Sequence, residues 1–256
     1  MQKDTDVNEF PNFDEWHNIK SETEGYFKGA HSDKLCALCK EHDIKIYIAV
    51  KQGFFTVKGY PFLKCDKDLS DMPELVDALL NCFIFYIEEY ISDHYRYGMT
   101  QISEIAVKAM SPGINDPGTA VKAIDMLSIL LIERLKISDV NYSLKHSTNN
   151  QPYLYLHETS FDELLHDNFT PIRNYAKGDA YVMVNVLEAF KNILFRSADS
   201  SKATESLFVY LEAIVEDINK HITNEYDRQQ VTNLLKAIAR ISEHKGKALV
   251  AKFTTN

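Results

Sequence analysis

Hydrophobic and polar positions follow two different patterns along the chain. Within residues 24–68, short apolar and aromatic runs are separated by Gly53, Gly59 and Pro61, which is typical of strands joined by tight turns. Within residues 69–256, apolar residues mostly recur at i, i+3, i+4 and i+7, which indicates amphipathic helices. The pattern predicts an α+β protein with a small β-rich N-terminal unit followed by a mainly α-helical bundle.

The helical domain is predicted to carry one inserted β-hairpin, at about residues 140–157, because DVNYSLKH and QPYLYLHE flank the turn-rich STNN. Residues 1–23 are polar with scattered aromatic residues, and we expect a tether there. Pro73 suits the first position of a helix that would run to about residue 91. Further helices are expected at about 93–110 and 117–137, at a capping box formed by Ser160 and Glu163, and at the C-terminus, where Gly246 would stop or fray the last helix.

The segment SPGINDPGT, residues 111–119, interrupts two helical patterns. Pro112 disfavours a helical Ser111, so the incoming helix should end just before it. Gly113 can adopt a positive φ, Asp116 fits the N-cap of the next helix, and Pro117 fits its first turn. These signals predict a short corner between two helices that pack as an antiparallel pair.

The same corner is the leading candidate for a binding site. A helix N-terminus attracts anions, but Asp116 would place its own carboxylate there. Ser111, Asn115 and Thr119 would then be available to a ligand, so the segment is either a structural corner or a binding loop. The candidate ligand-binding residues are Ser111, Asn115, Asp116, Thr119, Asp125 and Arg173.

Asp125 is a candidate because apolar residues surround it on the predicted helix, so its carboxylate is expected to be partly buried. A buried carboxylate needs a partner or a proton, which Lys122, Arg173 or a backbone N–H could provide. The residue is then either a structural hydrogen-bond acceptor or part of a site.

Composition narrows the classes of function. The formal net charge is −9, which disfavours binding to nucleic acid and to anionic lipid. The most apolar run, residues 78–87, is about half as long as a membrane-spanning helix requires, so we expect a buried core helix. The polar, acidic N-terminus does not resemble a signal peptide.

Catalytic and metal-binding motifs are not evident in the sequence. Cys36 and Cys39 form one CxxC inside a helical pattern, without the second CxxC of a zinc site, so structural cysteines in a reducing compartment are expected. The histidines show no ligand spacing, and the usual nucleophile and phosphate-binding motifs do not occur. We therefore expect no catalytic residues, no metal and no cofactor.

The segment GMTQISEIAVKAMSPGINDPGTAVKAIDML resembles the predicted bacterial membrane proteins called domain of unknown function 2254. Residues 111–120 match their SPGINDP-TA signature, EGYFKGAHSDKLCALCKEHDIKIYIAVKQGFFTVKGYPFL resembles a second segment, and NFTPIRNYAKGD places Arg173 at a matching arginine, so the resemblance covers about residues 24–195. It implies membrane helices that this chain lacks, and a domain at the cytoplasmic face of the membrane. EEYISDHYRYG departs from the family, because it keeps an aspartate but not the preceding arginine.

Three functions remain open. The resemblance and the missing catalytic motifs favour a soluble, non-enzymatic regulatory or assembly domain that forms a homo-oligomer. The alternative is a domain that senses a small ligand or ion at the SPGINDP loop. A remote third possibility is a hydrolase that uses Asp116, Asp125 and a histidine.

Overall fold

The chain is an α+β protein with an N-terminal β unit and a helical C-terminal part, as the pattern predicts. A computed structural model describes residues 10–137, 141–145, 151–197 and 201–254. The chain divides into two compact units. The β unit comprises Met1–Tyr97 and Asp139–Thr159, and the helical unit comprises Gly98–Ser138 and Ser160–Asn256.

The β unit is built from two sheets and two helices. Its described elements are β1 (His17–Lys20), β2 (Gly25–Ala30), α1 (Ser32–His42), β3 (Ile46–Ile48), β4 (Phe55–Thr56), β5 (Pro61–Cys65), α2 (Pro73–Leu80), β6 (Phe83–Tyr86), β7 (Asn141–Lys145) and β8 (Pro152–His157). The larger sheet has the order β1-β5-β3-β8-β7, and the smaller has the order β4-β2-β6. All neighbouring strands are antiparallel except β3 and β8, which are parallel.

The β-hairpin formed by β7 and β8 belongs to the β unit, whereas we expected it within the helical domain. The strand β8 pairs with β3, so that Ile46 lies beside Leu154 and Ile48 beside Leu156. Ile46 and Leu154 are both buried in the core of this unit. The hairpin therefore contributes a strand that the N-terminal segments need, across a sequence separation that a local pattern cannot reveal.

The apolar run at residues 78–87 is not one core helix. The helix α2 ends at Leu80, and Phe83–Tyr86 form the strand β6, so the predicted helix to residue 91 is wrong. The physical reason is the aromatic-rich FIFY, which favours an extended strand. The strand pairs with β2 and buries Phe83 in the core.

Part of the expected tether is folded. Residues 1–9 lie outside the described chain, but Phe13–Glu15 form a short 3-10 turn and β1 is an edge strand of the larger sheet. The ring of Phe13 stacks on Tyr47 of β3, with ring centroids 3.9 Å apart. Aromatic side chains thus attach this segment to the sheet. The polar composition of residues 1–23 gave no indication of this contact.

The helical unit is organised around a long central helix. The remaining helices of the described chain are α3 (Tyr95–Ala109), α4 (Pro117–Arg134), α5 (Phe161–Ala176), α6 (Ala180–Ser197), α7 (Ser201–His221), α8 (Glu225–Ile241) and α9 (Glu243–Thr254). The helix α6 contacts α4, α7 and α8, and it carries many of the fully buried side chains. The capping box of Ser160 and Glu163 at the start of α5 is confirmed.

Candidate functional site

The SPGINDP segment forms a tightly bonded corner between α3 and α4. The amide of Asp116 donates to the carbonyl of Ala109 at 2.8 Å, which closes the loop onto the end of α3. The residue of the corner with a left-handed backbone conformation is Asn115, with φ of 48°. The sequence suggested Gly113 for this conformation, but Gly113 does not have a positive φ. Asparagine tolerates this conformation better than most residues with a side chain. The helix α4 packs mainly against α6, so the expected antiparallel pairing of α3 with α4 is not found.

The N-cap role predicted for Asp116 is confirmed. One carboxylate oxygen, Oδ1, accepts from the amide of Thr119 at 3.0 Å, and Oδ2 accepts from the Thr119 hydroxyl at 2.6 Å. These hydrogen bonds from Thr119 lower the pKa of the Asp116 carboxyl. The Ser111 hydroxyl donates to the carbonyl of Lys108 at 2.7 Å. Three of the four polar side chains at the corner therefore bond within the corner or to the adjacent turn of α3.

Asn115 is the remaining polar side chain of the corner. It is exposed, and its side-chain amide makes no hydrogen bond within the described part of the chain, whereas its backbone N–H donates to the carbonyl of Ser111 at 2.9 Å. The backbone at this position favours asparagine or glycine, so the conformation by itself accounts for the residue type. A role in binding would have to depend on the amide group, which glycine lacks.

Substitutions at Asn115 separate a corner from a binding loop. We expect Asn115→Ala to lower the unfolding free energy by about 1 kcal/mol, because alanine is strained at positive φ, whereas Asn115→Gly should change it by less than about 0.5 kcal/mol. Urea unfolding of both variants measures the difference. A cellular or binding phenotype in the glycine variant at unchanged stability would contradict the purely structural interpretation.

Asp125 and Arg173 take no part in the side-chain hydrogen bonds of the corner. Asp125 is exposed on α4, about two turns beyond Asp116, so the expected partial burial is wrong. Its apolar neighbours mislead because several of them are exposed as well. The guanidinium of Arg173 lies 3.2 Å from Oδ2 of Asp217 on α7 and stacks over the Tyr210 ring. Arg173 thus contacts α7 residues, and its ion pair is with Asp217 rather than with Asp125.

A polar network at the start of α3 was not predicted. The ammonium of Lys28 lies 2.6 Å from Oδ2 of Asp93, and the two side chains are each less than a fifth exposed. The amide of Gln52 donates to the carbonyls of Lys28 and Asp93. The hydrogen bond from Lys28 lowers the pKa of Asp93. His94 lies 3.2 Å from Glu89 in the same segment.

This network holds the segment before α3 against β2 and the turn after β3. The charges of Lys28 and Asp93 are matched, and the His94 ring accepts from the Tyr97 amide at 3.1 Å, so the network is suited to positioning this segment. The one signal in the sequence is the local richness of SDHYRYG in polar and aromatic residues. Its partners lie some 40 and 65 residues earlier, which is why the sequence alone does not reveal them.

All four cysteines are free thiols of the β unit. Cys36 and Cys39 lie within α1, as expected. Burial raises the pKa of Cys39, and it raises the pKa of Cys65 to about 11, so both remain protonated at neutral pH. Within the described residues, no group of three or more histidine, cysteine, aspartate or glutamate side chains could hold a metal ion.

The helix α4 exposes an apolar face. Ala120, Ile124 and Leu127 are buried on its inner side, while Met126 and Ile129 on another side are each about half exposed. Leu130, next to Ile129, is 38% exposed. Scattered exposed apolar residues are normal on a protein surface, but a stripe on one helix marks a potential contact surface.

Comparison with known proteins identifies relatives of the chain. It is 26% identical over 159 residues to uncharacterized protein Rv1290c of Mycobacterium tuberculosis (strain ATCC 25618 / H37Rv) and to uncharacterized protein Mb1321c of Mycobacterium bovis (strain ATCC BAA-935 / AF2122/97). Each match covers 61% of this chain but only 29% of the relative. No solved structure matches the chain significantly.

The family that the chain matches is one of predicted membrane proteins. No helix of the described residues is long and apolar enough to cross a bilayer. The family described as predicted membrane protein (DUF2254) matches residues 1–192, which include the SPGINDP corner and Arg173. The chain therefore belongs to the DUF2254 family of predicted membrane proteins.

Proposed function

We propose that this chain is a non-enzymatic assembly domain of a membrane protein, and that its helical unit self-associates through the outer face of α4. The observation that carries the proposal is the apolar stripe on a helix whose inner face is already occupied by the core. A regulatory role would follow if association of this unit controls the attached membrane part. The free thiols are compatible with the cytoplasmic face of the membrane, which we include in the proposal.

The geometry of the stripe supports a helix-to-helix contact. Met126, Ile129 and Leu130 have the spacing i, i+3 and i+4, so their side chains lie together on one side of a little more than one helical turn. Fully burying a side chain of this size contributes about 1.5–3 kcal/mol, and each of these retains a substantial part of that gain for a partner. A second copy would bury the stripe twice, once on each protomer.

Charges at the two ends of the stripe make it complementary to itself. Lys122 lies one turn before Met126, and Glu133 lies one turn after Ile129, within the same sector of about 100° around the helix. Glu133 also pairs with Lys136 of its own helix at 2.6 Å, but both side chains are more than half exposed, so this contact can be exchanged. An antiparallel second copy can set Met126 opposite Ile129. The same register sets Lys122 of each copy opposite Glu133 of the other. A two-fold interface requires such a self-complementary pattern.

The corner geometry weighs against a hydrolase. The Asp116 carboxylate is held by Thr119, and its pKa is lowered, which favours a cap over a general acid. Asp125 is exposed on α4 beside the apolar stripe. An exposed carboxylate at the edge of a contact surface is better suited to solubility or partner selection than to catalysis.

The test is the oligomeric state of the purified chain. We expect sedimentation velocity, over about 1 to 100 μM, to show a monomer–dimer equilibrium. Ile129→Glu should raise the dissociation constant at least about 100-fold, because it places a carboxylate in the centre of the apolar contact. Val209→Glu is the matched control, since Val209 is 70% exposed on α7, outside the proposed surface.

A charge swap tests the register. Lys122→Glu should weaken the dimer by bringing two like charges together, and adding Glu133→Lys to it should restore association. A wild-type monomer throughout the concentration range would overturn the proposal. So would equal association of the Ile129→Glu and Val209→Glu variants, whereas failure of the swap alone would overturn only the antiparallel register.

A further inference from the structure

A cavity of about 270 Å³ opens in the β unit, beyond the carboxyl ends of the parallel strands β3 and β8. Its aliphatic wall is formed by Ile48 and Val50 from the end of β3 and by Leu154 and Leu156 from β8. Among the described strands, β3 and β8 form the parallel pair, and the cavity lies where both of them end. None of the residues of the SPGINDP corner lines this cavity.

Some of the polar side chains that line the cavity already have an interaction partner within the described part of the protein, whereas Glu158 does not. The Lys28 ammonium is paired with Asp93 at 2.6 Å and lies over the Tyr86 ring at 4.1 Å, so its charge is matched. The ring of His157 contacts Phe10 and Tyr47. Glu158 lines the cavity without an ion pair or hydrogen bond among the described residues.

We propose that this cavity binds a small amphipathic cation, such as a primary alkylammonium ion. The aliphatic wall would cover the alkyl chain, and the ammonium group would lie against the Glu158 carboxylate. An amphipathic anion is disfavoured, because Lys28, the only lysine or arginine among the described residues that line the cavity, is committed to Asp93. This site goes beyond the proposed assembly role, since it lies in the other unit and does not depend on α4.

The probe for the test is n-hexylammonium, with hexanoate as the matched anion. We expect titration of the full chain with hexylammonium to shift the methyl NMR signals of Ile48, Val50, Leu154 and Leu156. The shifts should saturate as expected for one binding site per chain. Hexanoate should bind at least about tenfold more weakly, because Glu158 repels it. Equal binding of the two probes, or shifts at methyl groups elsewhere, would overturn the proposal.

Two substitutions and one control locate the site. Glu158→Gln keeps the size of the side chain but removes its charge, and it should weaken hexylammonium binding about tenfold. Glu41→Gln, an exposed carboxylate on α1 that does not line the cavity, should leave binding unchanged. Ala30→Leu should abolish binding by filling part of the cavity.

If Ala30→Leu fails to fold, the comparison of the two glutamine variants still decides. Equal affinities in Glu158→Gln and wild type would refute the role of the carboxylate. Because the dimer is measured separately by sedimentation, failure of this site leaves the assembly proposal intact, and the reverse also holds.

Discussion

A Gly246→Ala variant is expected to lose about 3 kcal/mol of unfolding free energy, at the upper end of the usual range for overpacking. A methyl group at Gly246 would lie 2.3 Å from the Cα and 2.8 Å from the backbone N of Ala239. Those are backbone atoms of α8, so no side chain can rotate away. The helix α9 would have to move off α8, which would expose Leu249 and Phe253 from the core.

Urea unfolding measures the loss, and hydrogen exchange in α9 shows whether that helix detaches first. The matched control is Gly178→Ala, where an added methyl group meets no atom within 4 Å and φ is not in the left-handed range. That variant should be as stable as the wild type or slightly more stable, since alanine restricts the unfolded chain. Wild-type stability in Gly246→Ala would mean that the two helices do not approach as closely as described.

A Phe190→Ala variant should lose about 3–5 kcal/mol of unfolding free energy. Phe190 is fully buried on α6, edge-on to Phe169 at 5.1 Å and stacked on Tyr210 at 5.4 Å between ring centroids. Its removal leaves a cavity where α5, α6 and α7 meet. It also removes the ring that positions Tyr210, whose hydroxyl is 3.0 Å from that of Thr170.

Thermal unfolding should show a fall in Tm of roughly 10 °C for the helical unit. Phe195→Ala is the matched control, because Phe195 is on the same helix but 69% exposed. It should change stability by less than about 0.5 kcal/mol. Similar losses in both variants would show that Phe195 is covered in solution, by another part of the protein or by a second copy.

The local elements of the helical unit were largely predictable, because their signals are local. Asp116 is the N-cap with Pro117 after it, and Ser160 with Glu163 forms the capping box, since each involves atoms within one helical turn. The fold class follows in the same way, from the change between strand-like and helix-like periods.

The candidate site could be predicted only in part. The corner was placed correctly, but which residue adopts a positive φ depended on how the loop closes onto Ala109, and this selected Asn115 over Gly113. The sequence adds Asp125 to the candidate site because its neighbours are apolar, and the family resemblance adds Arg173 because it lies at a matching arginine. The ion pair of Arg173 with Asp217 joins residues 44 positions apart, which no local pattern encodes.

The sequence by itself determined the family signature, the α+β class, the helix caps and the acidic charge balance, because each depends on neighbouring residues or on a sum over the chain. Only the tertiary structure decided that β8 pairs with β3, that FIFY is a strand and that Gly246 lies against α8. It also decided that the face of α4 with Met126 is exposed while its other side is buried. These outcomes depend on which distant segment covers each apolar surface, and burial of that surface outweighs local preference.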